Sequence, residues 1–125
     1  MLLAAVSFSA VVTSMTPGFG SEDTIEEFPR TVGISAYKPH HHMLMGGLLA
    51  DAAACEANEK VKVLEEDPAA PGGFSVVGRT RTDRQGRWDL SYRAHEGDRL
   101  QVDVPQSFAR TRDCAATGSK TYEVE

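Results

Sequence analysis

The chain has 125 residues, 41% hydrophobic and 25% charged, which leaves room for one domain and excludes a disordered or fibrous protein. Its formal net charge of −5 argues against a general affinity for nucleic acid or acidic membranes, although a local basic patch stays compatible with it.

Residues 2–12, LLAAVSFSAVV, form an apolar run of signal-peptide length, too short to cross a bilayer comfortably as a helix. Pro17 would end such a helix, and Gly18 and Gly20 supply the small residues that a signal peptidase selects before Ser21. Residues 1–20 therefore read as a signal peptide, and the mature chain is expected to be secreted or held at the cell surface with no transmembrane segment. No Lys or Arg precedes the apolar core, and the alternative is a buried N-terminal strand or helix. Residues 21–30, SEDTIEEFPR, read as an acidic, solvated linker.

From residue 31 the chain breaks into short runs rich in Val, Thr, Tyr and Leu, punctuated by Gly, Pro, Asp and Asn, the pattern of an all-β domain over 31–125. Candidate strands cover 31–37, 43–50, 59–65, 74–80, 86–93, 98–104 and 120–125, and seven short strands suggest an antiparallel β-sandwich. Alternation places Trp88, Leu90 and Tyr92 on one face of the fifth strand, with Trp88 in the core. Leu100, Val102 and Val104 face inward from the sixth, Val61 and Val63 from the third, and residues 52–58 read as a turn. In TDRQGRW, residues 82–88, Asp83 is expected to accept backbone N–H bonds and Gly86 to take a positive φ, closing a hairpin. A bound cation at Asp83 is the alternative, but one carboxylate falls far short of the six to eight oxygens that calcium takes.

Two cysteines in an exported chain read as one disulfide. A Cys55–Cys114 bond would close a loop of about 60 residues, worth about 4 kcal/mol by loop-closure entropy. The alternative of a zinc site lacks any CxxC or HxxxH spacing.

No G-x-S-x-G motif, free thiol, phosphate-cradling loop or cofactor motif appears, so the chain is expected to be non-enzymatic and to need no cofactor. His40, His41 and His42, followed by Met43 and Met45, are the densest set of metal-ligand types. In an extended chain His40 and His42 share a side, which makes a copper carrier the alternative function; the competing reading is an exposed loop beside two core methionines. Arg79, Arg81, Arg87 and Arg93 alternate around the 82–88 turn and are expected to form a basic stripe on adjacent strands. Such a stripe would suit an anionic cell-wall polymer or an acidic protein; the competing reading is a charged face that resists aggregation.

The segments GGLLADAAACEANEKVKVLEE, VGRTRTDRQGRWDL and DCAATGSKTYEVE resemble a group of small exported actinobacterial proteins of largely uncharacterised function. More distantly, they resemble the transthyretin-like domains that serve as regulatory modules of carboxypeptidases. The carrying positions are Gly47, Cys55, Val61, Val63, Thr82, Asp83, Gly86, Trp88, Cys114, Ser119 and Val124. The resemblance implies an immunoglobulin- or transthyretin-like sandwich with a Cys55–Cys114 bond, and transfers no catalytic residue. Asp98, Asp103 and the histidine run depart from the group's pattern.

Overall fold

A computed structural model describes residues 26–109 and 112–125. The expected signal peptide and the first half of the acidic segment lie outside the described residues. The described residues form eleven strands: β1 (Glu26–Phe28), β2 (Arg30–Lys38), β3 (Met43–Ala50), β4 (Lys60–Glu66), β5 (Phe74–Arg81), β6 (Arg87–Ser91), β7 (Arg99–Val104), β8 (Ser107–Ala109), β9 (Arg112–Cys114), β10 (Thr117–Gly118) and β11 (Tyr122–Glu123). One 3-10 turn, Ala53–Cys55, lies between β3 and β4, and among the described residues there is no α-helix.

The strands form two facing sheets and a small third one. The first runs β2-β3-β6, the second β10-β7-β4-β5 with β11 also on β7, and the third β1-β9-β8. Period-2 alternation sets the inner faces. Val32, Leu44, Leu48 and Trp88 from the first sheet meet Val61, Val63, Leu100, Val102 and Val104 from the second, with Val124 closing the cluster. Each fully buried Leu or Val contributes about 1.5–3 kcal/mol relative to an exposed one. The β4–β5 hairpin is closed by Asp67, whose N–H donates to the Gly73 carbonyl at 2.9 Å and whose Oδ1 accepts the Ala69 N–H at 2.9 Å.

The all-β class and the disulfide agree with the sequence reading, but several details differ. Each of the seven expected strands is matched by one of the eleven, and β1, β8, β9 and β10 are additional. They are two or three residues long, too short for a period to show. Pairing is not wholly antiparallel either, because β1 runs parallel to β9, with Phe28 opposite Cys114. The acidic linker does not extend to residue 30: Glu26–Phe28 is a paired strand and Arg30 is buried. The acidic composition hid this, because the partners that order the segment lie far along the chain.

Residues 82–88 form the expected local turn in a different place. Asp83 Oδ1 accepts the N–H groups of Gln85 at 2.8 Å and Arg87 at 2.9 Å, and Gly86 has φ +82. The turn nevertheless joins β5 of the second sheet to β6 of the first, so it is an arch over the sandwich edge and not a hairpin. Trp88 follows it into the core, opposite Gly46 of β3. A Cβ at Gly46 would collide with the Gly33 carbonyl and the indole, so this position must lack a side chain for the ring to seat.

Candidate functional site

Alternation along β4 follows from its core. Val61 and Val63 are fully buried, so Lys60 and Lys62 point to the opposite face of the sheet. The β4–β5 register then sets Lys60 directly across from Arg81 and Lys62 directly across from Arg79. Side chains so paired stand about 5 Å apart at Cβ, and like charges in that relation repel. Lys60, Arg79 and Arg81 are exposed and Lys62 is half-buried. Together with Thr80 and Pro105 they line a shallow trough of about 610 Å³.

Among the described residues, none of these four cations lies within ion-pair distance of a carboxylate. The nearby acid, Glu59, is already engaged: its Oε1 accepts from Arg30 Nη1 at 2.6 Å and from the Ser107 hydroxyl. Asp103 of β7 flanks Lys62 in register and bounds the patch on that side. Arg81 Nη1 donates to the Asn58 carbonyl at 3.1 Å, which steadies its guanidinium at the rim. The result is a dense positive area on a chain of negative net charge.

The residues of the expected stripe divide between the two sheets. Arg79 and Arg81 are brought together, but Arg87 lies on β6 in the other sheet, pairing with Asp83 at 3.4 Å, and Arg93 lies beyond the end of β6. The four do not share a face because β5 and β6 do not pair. The two lysines that complete the patch were missed, although the signal was available. K-V-K-V and R-T-R are both period-2 segments, and the hairpin between them superposes their outward positions.

The histidine loop differs from the extended segment on which the alternative copper-carrier reading rested. Residues 39–42 make a tight turn and not an extended segment, with the His41 N–H donating to the Lys38 carbonyl at 3.2 Å. His42 has the left-handed φ of 49, so strand alternation no longer places His40 and His42 on one side. His42 Nδ1 is buried without a hydrogen-bond partner, but among the described residues no three His, Cys, Asp or Glu side chains gather as a metal site would need. Met43 and Met45 are half-buried on the outer face of β3, not core residues, because Leu44 and Leu48 take the inward positions.

The two cysteines are bonded, with Cα atoms 5.4 Å apart, and both are fully buried. No helix among the described residues is long and apolar enough to cross a membrane. Compared with models of known protein families and with curated protein sequences, the chain gives no match.

Proposed function

We propose that this chain is an exported, non-enzymatic binding module of the cell surface or extracellular space, and that its β4–β5 face docks an anionic polymer of the cell-wall type. One observation carries the reading: Lys60, Lys62, Arg79 and Arg81 stand in two like-charged cross-strand pairs, and among the described residues none of them has a carboxylate within ion-pair distance, Asp103 across from Lys62 on β7 included. Such pairs cost stability when left alone, and a bound anion converts the repulsion into attraction. The residues lining the trough include no aromatic anchor, whereas protein partners are usually gripped through one. That favours a polymer held by charge over an acidic protein. The disulfide supports an oxidising compartment, and kinship with transthyretin-like domains remains part of this reading.

The test is binding of the full chain, disulfide intact, to immobilised poly(glycerol phosphate), with neutral dextran and polyglutamate as comparators. Binding to the phosphate polymer that weakens steeply with salt is expected. It should vanish in the Lys60→Gln, Lys62→Gln, Arg79→Gln, Arg81→Gln quadruple variant and persist in Arg87→Gln and Arg93→Gln. Binding indifferent to the quadruple change would sink the site, and binding to polyglutamate alone would replace the polymer with an acidic protein.

A further inference from the structure

The pattern of the basic face specifies more than its sign. Lys60 and Arg81 form one cross-strand pair, Lys62 and Arg79 the next, and each pair sets a point-charge ammonium beside a bidentate guanidinium. The pairs are two residues apart on each strand, a step of about 7 Å along the sheet. Within a pair the two cations are close enough to share one anionic group. Between pairs, the step of about 7 Å leaves room for a second anionic group beside the first.

We infer that the face is a two-seat ruler for a phosphodiester chain whose successive phosphates are separated by a short carbon spacer, one phosphate per Lys–Arg pair. This rests on the polymer reading above and narrows it to a repeat length and a chemistry. Adjacent phosphates of inorganic polyphosphate share a bridging oxygen and fall well short of the step between seats, so only every second one could be seated and the phosphate between them would go unmatched. A spacer of a few carbons bridges the step. Arginine in each seat favours a planar or tetrahedral oxyanion able to accept two parallel N–H bonds. At one end, beyond Lys60, Arg81 and Pro105, lies a second hollow lined by Asn58, Glu59, Gln106 and Ser107, where the Glu59 carboxylate is engaged by Arg30 and the Ser107 hydroxyl. Nucleic acid also carries spaced phosphates, but sequence-independent binding of single strands relies on aromatic platforms on which the bases stack, and the residues lining the trough include none.

The deciding experiment measures affinity of the full, oxidised chain for a defined glycerol phosphate oligomer, a polyphosphate of equal charge and an oligothymidylate, together with double-mutant cycles. The expected order places the glycerol phosphate oligomer first. Single changes Lys60→Gln or Arg81→Gln should each weaken it about fivefold, the worth of an exposed ion pair near the top of its usual range. The Lys60/Arg81 cycle should be coupled, because both serve one phosphate, while the Lys60/Arg79 cycle should be additive. Equal affinity for polyphosphate with all cycles additive would overturn the ruler and leave charge-driven docking standing. Tighter binding of oligothymidylate would overturn it in favour of nucleic acid, and no binding of any phosphate polymer would overturn both readings.

Discussion

Arg30 and Cys114 are separated by 84 positions, yet Arg30 Nη2 donates to the Cys114 carbonyl oxygen at 3.2 Å. The other donors of the guanidinium are equally occupied. Nε reaches the Ala115 carbonyl at 2.7 Å, Nη1 the Cys55 carbonyl at 3.1 Å and Glu59 Oε1 at 2.6 Å, and Nη2 also the Pro105 carbonyl at 2.8 Å. One buried cation thus ties together β2, both bonded cysteines and the segment after β7.

Its removal should be costly out of proportion to its size. Arg30→Ala strands four carbonyls and a mostly buried carboxylate, and is expected to destabilise the domain by about 3–5 kcal/mol in denaturant unfolding. Glu59→Gln, which keeps a hydrogen-bond acceptor for Arg30, should cost less. A loss below about 1 kcal/mol for Arg30→Ala would show that the network is peripheral to folding.

The disulfide spans 59 positions, so Cys114→Ala should lower stability by about 4 kcal/mol and the melting temperature by several degrees. Both sulfurs are buried, so in native buffer a thiol reductant should act only as fast as the domain opens. Reduction that is rapid in native buffer and unaffected by mild denaturant would contradict that burial.

Trp88 and Gly46 form a lock and its recess. Trp88→Ala should cost about 3–5 kcal/mol, and Gly46→Ala, which adds only a methyl group, should cost about 1–3 kcal/mol through overpacking against the indole and the Gly33 carbonyl. Tryptophan emission of the native chain should be blue-shifted and shielded from quenchers. Wild-type-like stability of Gly46→Ala would mean that the indole does not sit over this glycine.

Among the described residues two carboxyls are held below their ordinary range: Asp83 chiefly by the Arg87 backbone N–H and then by that of Gln85 and the Arg87 side chain, against some desolvation, and Glu66 chiefly by the Gly72 N–H and then by Arg99. A depressed folded-state value means stability that is full above the ordinary carboxylate range and lost as pH falls through the folded value. Tyr92 shifts the other way, raised first by burial and then by its bond to Glu65. Its contribution is full below the ordinary phenol range and lost as pH rises past it. Melting temperature should therefore plateau around neutrality and fall at both ends, and Asp83→Asn should flatten only the acid limb. An acid limb unchanged by Asp83→Asn would remove Asp83 from this account.

Composition and period alone determined the all-β class, the positions of seven strands, the inward set from Val61 to Val104 with Trp88, and the local form of the 82–88 turn. All of these depend on near neighbours, whose alternation and turn chemistry the chain spells out directly. Which sheet each strand joins depends on contacts between distant segments, and there the sequence reading failed. It put β5 and β6 side by side, joined Arg87 and Arg93 to a stripe they do not belong to, and passed over Lys60 and Lys62. It also left Arg30 in a solvated linker, because a buried cation becomes legible only when the carbonyls of Cys55, Pro105, Cys114 and Ala115 have been folded around it. Tertiary structure decided the basic face for the same reason: its four charges lie on two strands, and only the β4–β5 register sets them opposite one another.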